Sequence, residues 1–187
     1  MFQDLLKRVA GELSRNAIPY MVIGGQAVLL YGEPRLTKDI DITLGIGIEE
    51  LQRIKDVVDA LDLKYLTPDI DRFVRDTMVL PVSDESSGIR IDFVFSFSPY
   101  ERQAIERAKE VKLGGAAVRF AALEDVVIHK IVAGRPRDID DIKAMLLKNP
   151  GYDKVYIRRW LADFDASLEE GFLAKFNALI KTLRTGS

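Results

Sequence analysis

In the stretch Arg35-Leu36-Thr37-Lys38-Asp39-Ile40-Asp41-Ile42-Thr43-Leu44, apolar Ile40, Ile42 and Leu44 alternate with polar Asp39, Asp41 and Thr43. That is the period of a half-buried β-strand, so the two carboxylates share one face. A later stretch, Ile89-Arg90-Ile91-Asp92-Phe93-Val94-Phe95, repeats the pattern, and Asp92 points away from the apolar side of its own strand. If the two strands are neighbours, Asp39, Asp41 and Asp92 converge. Three anionic oxygen donors at one place repel one another unless a hard cation neutralises them. Mg²⁺ prefers oxygen ligands in octahedral geometry, with substrate phosphate among them. The expected occupant is Mg²⁺ together with a nucleoside triphosphate.

Working upstream, Tyr20-Met21-Val22-Ile23 is a short apolar strand behind Pro19, and Gln26-Ala27-Val28-Leu29-Leu30 has helix-forming composition. Gly24 and Gly25 therefore lie at a strand-to-helix turn. Without side chains there, backbone N–H groups can approach a phosphate, and the helix N-terminus adds partial positive charge. Taken singly, a Gly-Gly turn reads as a tight connection, and each acid as a solvated face or a charge that protects a sheet edge. It is their combination that points to chemistry.

Outward from these motifs, Phe2, Leu5, Leu6, Val9 and Leu13 keep helical spacing and predict an amphipathic helix over 2–16. A second helix is expected over 48–61, after Gly45 and Gly47. Short strands are expected at 72–75 and 78–82, before Asp84-Glu85-Ser86-Ser87-Gly88 turns the chain into the Asp92 strand. Beyond Ser98-Pro99 the pattern is mostly helical: 100–110, 122–132, 137–147 and two amphipathic segments near the end, with one short strand over 117–120. The fold class expected is α/β (α+β), a mixed sheet with flanking helices as residues 1–121 and a helical part as residues 122–187. A substrate would lie in a cleft between the two parts.

Composition bounds the partners. The chain has 187 residues, 48% hydrophobic and 30% charged, enough to bury roughly 70% of its unfolded surface. A net charge of −2 gives no overall electrostatic case for nucleic acid, although a local basic groove would be hidden in that sum. With no cysteine there is no disulfide framework, thiolate metal site or cysteine nucleophile, so any metal must be oxygen-ligated. Met1-Phe2-Gln3-Asp4-Leu5-Leu6-Lys7-Arg8 carries charge where a signal peptide needs its apolar region, and no stretch approaches ~20 apolar residues. A cytoplasmic protein with no membrane association is expected.

Strand, Gly-Gly, helix, then Arg35-Leu36-Thr37-Lys38-Asp39-Ile40-Asp41 and a later strand aspartate resembles the nucleotidyltransferase superfamily related to DNA polymerase beta. Within it, Gly24-Gly25-Gln26-Ala27 followed by the Arg-x-Thr-x-Asp-Ile-Asp wording is most similar to the AbiEii/AbiGii-type enzymes, which include toxins of type IV toxin–antitoxin systems. The resemblance spans most of residues 18–147. It implies a Mg²⁺-dependent, two-metal transfer of a nucleoside monophosphate to an acceptor hydroxyl. Asp39, Asp41 and Asp92 would be the metal-binding and catalytic acids, with Gly24, Gly25, Gln26, Arg35, Thr37 and Lys38 on the nucleotide side. It further implies that Lys130, on one helix, and Arg137-Asp138-Ile139-Asp140-Asp141, opening the next, belong to the active-site side. Lys130 would meet phosphate, Arg135 or Arg137 would add a planar donor fork, and Asp138 or Asp141 would hold Lys130 in place.

The bland reading of that last segment is a buried Ile139, Ile142 and Leu146 stripe, with acids in the first turn facing the helix dipole. The implied partners are an RNA or tRNA acceptor and a cognate antitoxin. Two other readings stand beside this one: a small-molecule nucleotidyltransferase of the antibiotic-modifying kind, and a non-catalytic nucleotide- or partner-binding module, against which the three intact acids argue. Where many superfamily members have Gly-Ser, this chain has Gly25-Gln26, and the helical part after residue 122 is shorter than in full toxins. The lone His129 and the aromatic Tyr152, Tyr156 and Trp160 are read as packing residues.

Overall fold

A computed structural model describes residues 2–33, 39–96 and 98–185. The chain divides into two compact units, residues 1–26 with 36–121, and residues 27–35 with 122–187.

The first unit is built on a seven-stranded mixed sheet. Its strands are β1 (Tyr20–Ile23), β2 (Asp39–Leu44), β3 (Lys64–Tyr65), β4 (Val79–Asp84), β5 (Ile89–Phe95), β6 (Lys109–Leu113) and β7 (Ala116–Phe120), arranged β3-β4-β5-β2-β1-β7-β6. At its centre β2 runs parallel to β5 and antiparallel to β1, and β1 runs parallel to β7. The alternation that predicts the two key strands is physical. Ile40, Ile42, Leu44, Ile91, Phe93 and Phe95 are all 0% exposed, on the face opposite the acids. Each such side chain stabilises by roughly 1.5–3 kcal/mol on burial, so a one-residue slip of either strand would bury charge and expose this whole set.

Helices α1 (Phe2–Arg15), α3 (Leu51–Ala60), α4 (Ile70–Thr77) and α5 (Pro99–Arg107) complete the first unit, while α2 (Gly24–Tyr31) leaves β1 directly and carries the chain into the second. The helix expected over 48–61 is two pieces, a 3-10 turn at Ile48–Glu50 followed by α3. The strand expected at 72–75 is instead α4. Asp69 caps it by accepting the Arg72 N–H at 3.2 Å, Val74 alone is fully buried, and Met78 ends it in the left-handed conformation. Local capping therefore overrides a weak apolar pair. The helix expected over 100–110 stops at Arg107, because Ala108 is extended and Lys109 already pairs with Phe120 in the β6–β7 hairpin. Ser98-Pro99 does open α5: Glu101 accepts from both the Ser98 backbone N–H (2.9 Å) and its hydroxyl (2.7 Å), in a capping box with proline at the first helical position.

The second unit consists of α6 (Leu123–Ala133), α7 (Pro136–Lys148), α8 (Lys154–Leu168) and α9 (Phe172–Thr185), with α6 packed on α7, α8 and α9. Residues 27–35 join it through polar ties: Asn149 donates to the Tyr31 carbonyl at 2.9 Å and Lys148 to the Gly32 carbonyl at 3.0 Å. Among the described residues, no helix is long and apolar enough to cross a membrane.

Candidate active site

Register places the acids. Asp41 stands beside Asp92 and Asp39 beside Arg90 on the parallel strands β2 and β5. Because side chains alternate along a strand, these four residues share one face as two adjoining rungs. Asp39 is exposed and Asp41 and Asp92 are half-buried, so the face opens to solvent at this end; two residues further on, Thr43 is 1% exposed.

The glycine turn closes on the same rungs. Ile23 of β1 pairs with Asp41, and the next residue, Gly24, has φ +65° and opens α2. A Cβ at Gly24 would lie 2.0 Å from Asp41 Oδ2, so a side chain here would strain the backbone and force the carboxylate to move. Gly25 and Gln26 follow in the first turn of α2, both buried, with Gln26 8% exposed. The turn thus brings the start of a helix against the carboxylate of Asp41. Arg35, Thr37 and Lys38, expected on the nucleotide side, lie outside the described residues.

Arg90 has a role on this face that the alternation pattern alone does not reveal. Its Nε donates to Asp92 Oδ1 at 2.9 Å. Its pKa is raised above the ordinary arginine value, first by that hydrogen bond and then by the charges of Asp92, Asp39 and Asp41. The signal in the sequence was its position two residues before Asp92 on a strand, which places both on one face.

Three carboxylates were expected to converge. Among the described residues, however, no group of three or more His, Asp or Glu side chains is gathered closely enough to hold a metal ion. On the two rungs Asp39 sits across from Arg90, and Asp92 accepts from it. What remains suits a hard cation of the Mg²⁺ kind, since Asp41 and Asp92 are oxygen donors set abreast. Mg²⁺ is usually held by one or two carboxylates plus substrate phosphate, without an all-protein cage.

In the second unit, Lys130 is 3% exposed and its Nζ donates to Asp138 at 2.7 Å and to Asp141 at 2.6 Å. Asp138 is 0% exposed and also accepts from the Arg135 backbone N–H at 3.2 Å and from Arg135 Nε at 2.7 Å. Burial raises the Asp138 pKa, but the hydrogen bonds from Arg135 and Lys130 outweigh it and hold the carboxyl below its ordinary value. This network locks the start of α7, whose Arg137 is exposed. The Ile139, Ile142 and Leu146 stripe exists beside it, with Ile142 and Leu146 buried and Met145 completing it. His129 is half-buried on α6.

Solved structures of low sequence identity share the fold. The antibiotic-resistance factor ANT(2")-Ia in complex with adenylyl-2"-tobramycin aligns with a TM-score of 0.57 at 14% identity, covering 93% of this chain and 98% of that one. An antigenic nucleotidyltransferase-like protein from Paracoccidioides brasiliensis aligns with a TM-score of 0.55 at 15% identity, covering 96% and 91%. No curated protein matches the chain in sequence. Residues 2–158 match the family described as "Nucleotidyltransferase of unknown function (DUF6036)", and this chain belongs to that nucleotidyltransferase family.

Proposed function

We propose that this protein is a Mg²⁺-dependent nucleotidyltransferase that moves a nucleoside monophosphate from a nucleoside triphosphate to an acceptor hydroxyl, in the cytoplasm. The observation that carries the reading is the Asp41–Asp92 rung with Gly24 pressed against Asp41. A bound Mg²⁺ would neutralise phosphate charge and polarise the reacting phosphoryl group. Asp41 and Asp92 are assigned as its carboxylate ligands and Asp39 as the third acid of the site. Gly24, Gly25 and the backbone N–H groups opening α2 are assigned to phosphate, with Gln26, Arg35, Thr37 and Lys38 around them. In the reaction the acceptor oxygen bonds to the α phosphorus as the bond to pyrophosphate breaks, and Asp92 takes the acceptor's proton.

Lys130 and Asp138 are assigned as positioning residues. A lysine held by two carboxylates in the interior keeps α7 in register, and Arg137 at the exposed start of that helix offers the donor fork to phosphate.

RNA, tRNA in particular, is the acceptor favoured by the AbiEii-type wording of residues 24–41, and it brings with it a toxin role and a cognate antitoxin. A small hydroxyl-bearing molecule is the second reading, favoured by the fold overlap with ANT(2")-Ia along nearly its whole length. The test incubates the protein with each α-labelled nucleoside triphosphate, Mg²⁺, and either total cellular RNA or tobramycin, beside an Asp39→Ala/Asp41→Ala control. Label entering RNA and lost in the control supports the first reading, and label entering tobramycin supports the second. No label in either acceptor, together with no Mg²⁺-dependent nucleotide binding, rejects the enzyme.

A further inference from the structure

The two rungs carry three negative charges and one positive one. Asp39, Asp41 and Asp92 share their face with Arg90, and across β4, β5, β2 and β1 Arg90 is the one cationic side chain. On the β4 side the rungs continue with Ser83 beside Arg90 and Pro81 beside Asp92, and on the β1 side Ile23 lies beside Asp41; all three are uncharged. Within these strands Arg90 is therefore the cation set beside the acids. Its side chain is 51% exposed, so it leans over the carboxylates from the solvent side, bonded to Asp92 at 2.9 Å without being packed in place.

Such an exposed pair is weak, typically 0.2–1 kcal/mol, yet it occupies an oxygen on one of the two carboxylates that a cation would need. We propose that Arg90 is a built-in, exchangeable counter-charge of the acid site: it holds Asp92 while no cation is bound and is displaced from Asp92 when one enters. The inference rests on the metal-dependent reading above and adds a positioning residue to it. The exchange has a structural logic. Like charges on adjoining strand positions destabilise a sheet, and Arg90 offsets part of that repulsion at Asp92 until a divalent ion does so. Arg90 then becomes available, one rung out, to an incoming anion such as a triphosphate, for which a guanidinium is well shaped.

The test compares wild type with Arg90→Ala and Arg90→Lys in Mn²⁺ titrations without nucleotide, after thermal unfolding has established that each variant is folded. In parallel, the Arg90 Nε–Hε resonance, assigned by its absence in Arg90→Lys, is followed by NMR during Mg²⁺ addition. The expected result is Mn²⁺ binding about fivefold tighter in Arg90→Ala, a near wild-type affinity in Arg90→Lys, and a shift of the Nε–Hε signal that saturates with Mg²⁺. That fivefold is the equilibrium equivalent of the upper range of an exposed ion pair. Cation binding that is equal in wild type and Arg90→Ala, with an unmoved Nε–Hε signal, overturns the inference and leaves the metal reading standing. Absence of cation binding in every variant overturns both.

Discussion

At the scale of single residues, two independent constraints favour glycine at position 24. A side chain there would adopt φ +65° and would bring its Cβ to 2.0 Å from Asp41 Oδ2. The backbone strain alone costs about 1–3 kcal/mol, and a reacting group displaced by about 1 Å can lose roughly 10²-fold in rate. Gly24→Ala should therefore lower nucleotidyl transfer about 10²-fold, read by label transfer, while lowering the thermal midpoint by only a few degrees. Asp138 supports a prediction of different sign. Its carboxyl titrates below the ordinary value of 3.8 in the folded protein, so it contributes stability above that value and loses it as pH falls through the lower folded pKa. Urea unfolding followed by Trp160 fluorescence should show stability of the second unit beginning to fall as the pH drops below the ordinary value of 3.8. In Lys130→Met, Asp138 and Asp141 lose their shared cation, and at pH 6 the cost should be about 3–5 kcal/mol, the usual penalty for breaking a buried ion pair. Retained stability in that variant would show that Arg135 alone satisfies Asp138.

At the scale of elements, what could be read from the sequence was what periodicity carries. The alternation around Asp39–Asp41 and Asp92 identified β2 and β5, and the Phe2–Leu13 spacing identified α1, because burial of one face dictates those patterns. The β2–β5 pairing could only be stated as a condition, since strand order is set by long-range contacts that leave no local mark. Short elements escaped for the opposite reason: α4 depends on the Asp69 cap, and β6 on a hairpin partner, with charged Lys109, Glu110 and Lys112 suiting an edge strand more than an apolar pattern. Arg90 was visible as an alternating polar residue, but its bond to Asp92 is a matter of rotamer and register. The Ser98-Pro99 boundary was legible and α5 opens there, with Glu101 completing a cap that the sequence reading did not name. Ser98→Ala removes the hydroxyl that accepts from the Glu101 N–H and donates to its carboxylate, so it should cost about 0.5–2 kcal/mol in urea unfolding of the first unit. A change below about 0.3 kcal/mol would mean that α5 is held by the packing of Tyr100, Ala104 and Ile105 instead.

At the scale of the whole molecule, two units with separate cores can report separately on what binds them. The acid rungs and Gly24 belong to the first unit, whereas Arg137 and the single tryptophan, Trp160, belong to the second. A ligand stabilises whatever folded part it contacts, by about 2.7 kcal/mol when present at 100 times its dissociation constant. For a chain of this size 1 kcal/mol moves the midpoint by about 2–4 °C, so saturating Mg²⁺ and a non-hydrolysable nucleoside triphosphate should raise it by roughly 5–10 °C. Calorimetry sees both units, and Trp160 fluorescence follows the second. If Arg137 takes phosphate as proposed, the fluorescence midpoint must rise along with the calorimetric one. Arg137→Ala should then cancel the fluorescence shift while sparing the rest, and Asp41→Asn, which keeps the side chain's size and removes its charge, should abolish both. A wild-type shift seen by calorimetry and missing from Trp160 would confine the nucleotide to the sheet unit and take Arg137 out of the site.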